Sequence, residues 1–320
     1  MTVPAVALLA GIAWVHQEPH RLNPVIELLA QKKPVFGVYA PRNPRVRRGA
    51  SPPPNAPPPK SPAELAQETL AYKDADYVFD GSMEGNFDSA FPAFSEFMKG
   101  MANGGLVDRS PALRIHHPVI VKTHNIAENP SLAADRIGRQ LNAGASGIVF
   151  VGVESADEVK TGLAAMRFKS KGGTRSDDVG SAPAYWGMSE KEYREKADLW
   201  PLDPNGEIVN WTIVESKEGL KHVREIAAVK GISVLFPGAG TLRGVFTDTS
   251  NGERTFDAEG WENAIQQVLA ACKEFKVPCG YPATAKDIEM RMKQGFSVFV
   301  MNWGEAGFDA VKVGKAGAGR

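Results

Sequence analysis

The sequence predicts an α/β fold in which eight parallel strands alternate with helices and close into a (β/α)8 barrel. Short, almost wholly apolar runs alternate with helical segments along most of the chain, and apolar strands of this kind belong to a parallel sheet covered by helices. The length of 320 residues suits one such domain with insertions. A doubly wound open sheet is the alternative for the same alternation.

The predicted strands are short runs rich in Val, Ile and Phe, separated by turn residues and helical segments. Their count favours the barrel, because eight strands are the number that closes it. They lie at residues 34–40, 76–80, 117–123, 147–153, 208–215, 232–236, 278–281 and 296–302.

Helices are predicted between the strands from amphipathic spacing and from signals at their ends. Ser61 and Glu64 have the spacing of a capping box, and Ser155 is a second N-cap. Gly144 ends the helix that begins at Pro130. A turn-rich loop is predicted at 237–255. The predicted helices lie at 22–29, 61–72, 87–101, 130–142, 155–168, 189–198, 217–229, 259–275, 284–293 and after residue 304.

We expect residues 21–320 to form a single domain that carries a Pro-rich loop at 41–62 and a polar insertion at 169–207. The prolines of the loop exclude helix and sheet, which leaves an active-site lid, a partner-binding arm or a solvated excursion. Residues 1–20 are an N-terminal extension or a signal segment. Residues 3–15 have the apolarity of a signal core, yet no Lys or Arg precedes them and no Ala-x-Ala site follows. The expected location is therefore cytoplasmic, or exported if residues 1–17 are a signal.

Composition excludes several classes of function. The chain has 37 basic and 37 acidic residues, which argues against nucleic acid or an anionic membrane as partner. It has no apolar run long enough for a transmembrane helix. Cys272 and Cys279 are the two cysteines, too few for a zinc site or a disulfide framework, and both are predicted to be small apolar core residues.

Reactive groups of such a barrel lie where the strands end, at the carboxyl edge of the sheet. This rule turns the predicted strands into a shortlist of candidate site residues. The shortlist is Tyr39, Asp80, Glu84, Lys122, His124, Asn125, Glu154, Glu215, residues 238–243, Tyr281, Asn302, Trp303 and Glu305.

Glu215 is the strongest single candidate on this shortlist. It closes an otherwise neutral strand and precedes Ser216 at the turn into the next helix. A carboxylate at a barrel mouth can bind Mg²⁺ or Mn²⁺ through oxygen. Capping of the following helix is the alternative interpretation.

Four stretches of the chain resemble a known family, in order and in spacing. They are 147–168 (GIVFVGVESADEVKTGLAAMRF), 173–175 (GTR), 185–187 (YWG) and 213–240 (IVESKEGLKHVREIAAVKGISVLFPGAG). Together they resemble the HpcH/HpaI aldolase and citrate lyase superfamily. The resemblance implies a TIM barrel of the phosphoenolpyruvate/pyruvate-binding type, a homo-oligomer, and divalent-metal-dependent carbon–carbon lyase activity on 2-oxo acids or acyl-CoA esters.

The same resemblance assigns roles to individual residues. Glu215 falls on the metal-binding glutamate, whereas Thr241 replaces the second metal carboxylate and is a poor ligand by comparison. Lys122 replaces the arginine that holds the substrate's oxygens, which keeps the charge and loses the bidentate geometry. The family's active-site histidine is absent, because Gly85 follows Glu84.

Further predicted roles concern substrate binding and proton transfer. Arg175 matches a family arginine and is expected to anchor an anionic substrate or to stabilise its loop, with a loop salt bridge to Asp177 or Asp178 as the alternative. Glu84 and His124 are the expected proton-transfer groups beside Lys122. The expected substrate-binding turn consists of Gly238, Ala239, Gly240 and Thr241.

Two functional hypotheses remain open. The first is a divergent lyase in which a divalent ion on Glu215 stabilises an enolate while Lys122 holds an anionic oxygen. The second is a repurposed barrel without metal-dependent aldolase activity, which binds a small anionic or aromatic ligand or forms a Schiff base at Lys122. For Lys122 itself, a phosphate or carboxylate contact or a salt bridge to Glu84 or Glu215 is the simpler interpretation.

Overall fold

A computed structural model of the chain describes residues 20–43, 57–250 and 252–320. Residues 1–19, with the predicted signal segment, and residues 44–56 of the predicted Pro-rich loop lie outside the described residues. The strands are β1 (Val35–Tyr39), β2 (Tyr77–Asp80), β3 (Val107–Asp108), β4 (Arg114–Ile115), β5 (Val119–Lys122), β6 (Gly147–Phe150), β7 (Leu199–Trp200), β8 (Ile208–Val214), β9 (Val234–Pro237), β10 (Thr247–Asp248), β11 (Thr255–Phe256), β12 (Gly280–Pro282) and β13 (Val298–Met301).

Helices occupy the connections between the main strands, as the alternating pattern predicts. They are α1 (Pro24–Ala30), α2 (Pro62–Ala71), α3 (Phe87–Asn103), α4 (Pro130–Asn142), α5 (Ala156–Met166), α6 (Ala182–Tyr185), α7 (Glu190–Lys196), α8 (Lys217–Lys221), α9 (Val223–Ala227), α10 (Ala239–Val245), α11 (Ala258–Phe275), α12 (Ile288–Gln294) and α13 (Glu305–Gly317).

The main sheet is parallel and curled. Its strands follow the order β12, β13, β1, β2, β5, β6, β8, with β9 and the short β7 both paired to β8. From β1 to β8 the strands of this sheet, apart from β7, lie side by side in chain order, and β12 and β13 continue the sheet on the other side of β1. The strand order therefore does not reverse direction, as it does in a doubly wound sheet. At its two ends, Leu235 of β9 forms a parallel bridge with Cys279, and the Leu235 N–H donates to the carbonyl of Pro278 at 3.0 Å. The eight predicted strands are all present in an α/β fold built on this curled sheet.

Alternating residues on the strands pack on opposite sides of the sheet, because the side-chain period of a strand is two. The inner side holds an aromatic cluster in which Trp211 contacts Tyr77, Phe79 and Phe236, at ring-centroid distances of 4.7, 5.7 and 5.2 Å. Gly37 faces this cluster, and a Cβ there would lie 2.3 Å from the Tyr77 ring. The outer side packs against the helices in a second, larger core.

Several predicted helix ends are confirmed by their capping contacts. The Ser61 and Glu64 side chains form the predicted capping box at the start of α2, and Ser155 caps α5. The helix predicted at 217–229 is instead two short helices, α8 and α9, which meet at His222. The loop predicted at 237–255 is also wrong in part, because it contains α10 and the antiparallel pair of β10 and β11.

The two cysteines differ from the sequence prediction. Both are buried, as expected, but the structure joins Cys272 near the end of α11 to Cys279 beside β12 in a disulfide, with 5.7 Å between their Cα atoms. The prediction of two separate apolar thiols is wrong here because the short turn after α11 brings the two residues face to face. Within the described ranges, no helix combines the length and apolarity needed to cross a bilayer.

Candidate active site

Two charged side chains extend the inner face of the sheet at its carboxyl edge. On β8, Trp211 and Ile213 belong to the inner core, and Glu215 occupies the next inward position. On β5, Ile120 is in the same core and Lys122 is the next inward residue. The strand period therefore places Glu215 and Lys122 at the same open end, which we call the bowl.

Glu215 is half-buried and held between two loops. Its Oε1 accepts a hydrogen bond from the Gly152 N–H at 2.9 Å, and Gly152 has a φ of +59° that favours glycine. A Cβ at Gly238 would lie 2.4 Å from the Cβ and 2.6 Å from the Oε2 of Glu215. Ser216 caps the next helix through the Gly219 N–H, so the capping alternative for Glu215 does not hold.

Lys122 forms an ion pair inside the bowl. Its Nζ lies 2.9 Å from the Oε2 of Glu84, and the Lys122 side chain is 13% exposed while that of Glu84 is 39% exposed. This is one of the simpler arrangements that the sequence left open for Lys122. The pair brings together two of the predicted catalytic residues, from β5 and from the loop after β2.

His124 is tied to the same loop. Its Nδ1 lies 3.1 Å from the backbone oxygen of Glu84, and its Nε2 lies 2.7 Å from the Oε2 of Glu128. A carbonyl oxygen only accepts, so Nδ1 carries a proton and donates to Glu84. Because both ring nitrogens are engaged with protein oxygens, this geometry suits His124 to bracing Glu84 more than to moving a proton itself.

Two further carboxylates of the strand-end shortlist, Asp80 and Glu154, have hydrogen-bond partners of their own. Asp80 follows outward-facing Val78 on β2, its Oδ1 accepts from the Ser82 N–H at 2.6 Å, and burial raises its pKa. Glu154 accepts from the Ser216 hydroxyl at 2.6 Å. Among residues 20–43, 57–250 and 252–320, no three His, Cys, Asp or Glu side chains are grouped to hold a metal ion.

The predicted substrate-binding turn begins α10, directly after β9. Gly238 precedes this helix and lies beside Glu215, and the carbonyl of Ala239 accepts from the Trp261 indole N–H at 2.9 Å. Gly240 and Thr241 are exposed in its first turn. The turn therefore meets the bowl through Gly238, with Thr241 where the resemblance expected a second carboxylate.

The structure places Arg175 away from this bowl. Its guanidinium donates to the Oδ1 of Asn142 at 2.7 Å and stacks on the Phe168 ring at 4.3 Å, with the side chain buried. Asn142 ends α4, which runs back to the amino edge of the sheet before β6, so Arg175 lies at the end opposite to Glu215. The expected position beside the substrate is thus not found. Nor is the alternative salt bridge to Asp177 or Asp178, because Asn142 and aromatic rings surround the guanidinium.

Sequence reasoning gave no role to three residues of the bowl. Tyr39, the last residue of β1, faces inward, and burial raises its pKa while the nearby Lys122 charge opposes that rise. The Asn125 amide nitrogen lies 3.0 Å from where a Cβ of Gly152 would be. Tyr39 and Asn125 were on the strand-end shortlist, but Gly152 acts through its backbone, which no side-chain motif reveals.

Comparison with known proteins gives a family and a fold. The model of the HpcH/HpaI aldolase/citrate lyase family matches residues 109–311. A hydroxypyruvate/pyruvate aldolase from Paraburkholderia phytofirmans is 33% identical over 116 residues, which cover 35% of this chain and 42% of that relative. The match thus spans less than half the length of this relative.

Several solved structures share the fold over most of the chain. An HpcH/HpaI aldolase/citrate lyase family protein from Burkholderia cenocepacia has a TM-score of 0.61 at 22% identity, covering 88% of this chain and 92% of that one. An HpcH/HpaI aldolase from Desulfitobacterium hafniense has a TM-score of 0.57 at 16% identity, covering 86% and 88%. Macrophomate synthase has a TM-score of 0.56 at 18% identity, covering 91% of both chains. At these identities the likeness is one of fold.

Proposed function

This chain belongs to the HpcH/HpaI aldolase/citrate lyase family, and from that premise we propose that it is an aldolase-like lyase. The proposed reaction makes or breaks a carbon–carbon bond next to the carbonyl of a small 2-oxo acid. The related hydroxypyruvate/pyruvate aldolase supports pyruvate as a first substrate to test. The observation that carries the proposal is the inward Glu215 carboxylate, fixed by the Gly152 N–H at the edge where Lys122 also lies.

The donor set of the bowl fits a weakly held divalent ion. Oε1 of Glu215 is engaged by Gly152, while Oε2 has no hydrogen-bond partner among the described residues. Mg²⁺ is commonly bound through one or two carboxylates and keeps waters that a substrate displaces. Glu215 is thus the residue that would hold Mg²⁺ or Mn²⁺, and Thr241 adds no charge. Such an ion, when bound, would polarise the substrate carbonyl.

The chain's own residues supply binding and proton transfer in this proposal. Lys122 holds an anionic oxygen of the substrate through its ammonium group. Glu84, released from Lys122 when the substrate binds, moves the proton at the carbon beside the carbonyl. His124 keeps the backbone of Glu84 in place. The apolar floor of Trp211 and its neighbours excludes water beneath the reacting atoms.

The second candidate is a barrel that has lost metal-dependent chemistry and binds a small anionic or aromatic ligand, or forms an imine at Lys122. It is favoured by one feature: in the described part of the chain, no three His, Cys, Asp or Glu side chains, Glu215 included, are grouped to hold a metal ion. Borohydride trapping of pyruvate on Lys122 would identify the imine. Stoichiometric Mg²⁺ or Mn²⁺ in the protein would favour the first candidate.

We also propose that the curled sheet closes into a complete (β/α)8 barrel and that the chain forms a homo-oligomer. Closure is supported by the bridge between Leu235 and Cys279. Assembly follows from the family resemblance alone. Sedimentation of the purified protein tests assembly, and a monomer at micromolar concentration would contradict it.

Exchange of the pyruvate methyl protons in D2O tests the main proposal, because an enolate must form before carbon–carbon bond formation. We expect exchange by the wild type with Mg²⁺ or Mn²⁺, and a loss of about 10²-fold or more in Glu215→Gln, which keeps the acceptor for Gly152. Calorimetry should show metal uptake lost in the same variant. Glu96→Gln, at an exposed position on α3, is the matched control. Metal uptake or exchange unchanged by Glu215→Gln would reject the assignment.

A further inference from the structure

We infer that Tyr39 is a further catalytic residue, whose hydroxyl donates a hydrogen bond to the substrate oxygen that becomes negative in the reaction. This inference rests on the proposed function and deepens it. It starts from the place of Tyr39 in the fold, as the last residue of β1 on the inner face. The Tyr39 ring packs edge-on against Phe79 at 5.0 Å, which fixes the direction of the side chain.

Tyr39 and Lys122 meet above Gly81. A Cβ at Gly81 would lie 3.5 Å from Cδ of Lys122 and 3.8 Å from Cε1 of Tyr39, so both side chains cover the same backbone position. Four charged groups act on the pKa of the Tyr39 phenol: the positive charges of Lys122 and Arg42 lower it, and the negative charges of Glu84 and Glu215 raise it. The hydroxyl therefore lies among the charged groups of the bowl, where an anionic substrate would bind.

The Tyr39 hydroxyl is available to a ligand. It has no hydrogen-bond partner among the described residues, and it is not among the unpaired atoms that are sealed from solvent. By contrast, the buried hydroxyls of Tyr77 and Tyr193 donate to the carbonyls of Phe299 and Leu141, at 2.7 and 3.2 Å. Tyr39 thus keeps, at the open end of the sheet, a hydroxyl donor that no other described residue engages.

The chemistry of the bowl needs such a donor. Lys122 is paired with Glu84, so one cation serves both a protein carboxylate and the substrate. A developing oxyanion is stabilised by donors that are already oriented before the reaction. Burial raises the pKa of Tyr39, which keeps the phenol protonated and able to donate at neutral pH. The rigid strand supplies the orientation.

Tyr39→Phe tests the inference, because it removes the hydroxyl and leaves the ring on Phe79. The first readout is exchange of pyruvate methyl protons in D2O, for which we expect kcat to fall about 10²-fold with KM changed less than threefold. The second readout is calorimetric binding of oxalate, a planar dianion that mimics the pyruvate enolate, which should weaken at least tenfold. Tyr185→Phe, on α6 beside Gly144 at the amino edge, is the matched control and should change neither.

The two readouts separate the inference from the proposed function. If Tyr39→Phe exchanges pyruvate and binds oxalate within twofold of the wild type, the inference is overturned while the lyase proposal stands. If the wild type does not exchange pyruvate, the lyase proposal fails on this substrate, and oxalate binding alone then decides the role of Tyr39. If Tyr39→Phe and Tyr185→Phe both melt at the wild-type temperature, misfolding is not the cause of a loss of exchange or of oxalate binding.

Discussion

A single methyl group at Gly238 should disable the bowl by displacing the Glu215 side chain. In Gly238→Ala the new Cβ would lie 2.4 Å from the Cβ of Glu215, 2.6 Å from its Oε2 and 3.0 Å from Cγ2 of Ile213. The backbone φ of −73° is open to any residue, so the effect is purely steric.

The size of the effect follows from these distances. Carbon atoms in contact lie about 3.5–4.0 Å apart, so the Glu215 side chain must move by roughly 1 Å. A displacement of about 1 Å at a reacting group costs about 10²-fold in rate. Overpacking of this kind also costs about 1–3 kcal/mol of folding stability. We therefore expect a nearly folded protein whose kcat/KM for pyruvate proton exchange falls about 10²-fold.

The assay combines proton exchange by NMR with thermal unfolding, and Gly244→Ala supplies the control. Gly244 lies in the same helix α10, where a Cβ would meet no atom within 4 Å. That variant should keep full activity and gain up to about 1 kcal/mol of stability from the better helix propensity of Ala. Wild-type exchange by Gly238→Ala would refute the packing argument for Glu215.

Two further predictions concern stability. Hydrogen bonds from Arg291 hold the pKa of Glu262 below its usual 4.5, so this pair stabilises the fold above about pH 4.5, and that contribution is lost as the pH falls through the lowered pKa. Urea unfolding should show Glu262→Gln less stable than the wild type at pH 7, with the difference shrinking progressively as the pH is lowered below 4.5, and a difference independent of pH would contradict this. Reducing the Cys272–Cys279 disulfide, which joins residues seven positions apart, should cost about 2–3 kcal/mol by the loss of chain constraint. A reductant should leave the double variant Cys272→Ala, Cys279→Ala unaffected, and an unchanged wild-type unfolding midpoint would show that the bond does not constrain the unfolded chain.

The sequence was enough to place the strands, because burial on both faces leaves continuous apolar runs. All eight runs became parallel strands of the main sheet. The helix ends were predictable where a side chain caps the helix, as the side chains of Ser61 and Ser155 do. The start of α10 after β9 was not predictable, because its N-cap residue is Gly238, which has no side chain to cap the helix. A seven-residue helix without such a cap depends on tertiary contacts that the local sequence does not contain.

Within the candidate site, strand parity made the side chains on the strands predictable. Glu215 and Lys122 lie at inward positions, so the strand pattern finds them. Arg175 lies in a loop, and its position depends on Phe168 and Asn142, which the sequence does not identify as partners. The N–H of Gly152 was missed because a backbone donor carries no residue signature.

The charges in the bowl constrain how a substrate can enter. Among the described residues, the charges that act on the Tyr39 phenol are two positive, Lys122 and Arg42, and two negative, Glu84 and Glu215, so these four groups together offer an anionic substrate no excess of positive charge. Such a substrate must take Lys122 from Glu84, whose side chain is 39% exposed and lies on a loop between β2 and α3. The exchange of one carboxylate for another conserves the ion pair at Lys122 and frees Glu84 beside the bound substrate. An arginine at this position could hold the protein carboxylate and the substrate carboxylate at the same time, because its guanidinium has several donors, whereas Lys122 must give up Glu84. In the lyase proposal, substrate binding at Lys122 therefore itself produces the base that the reaction requires.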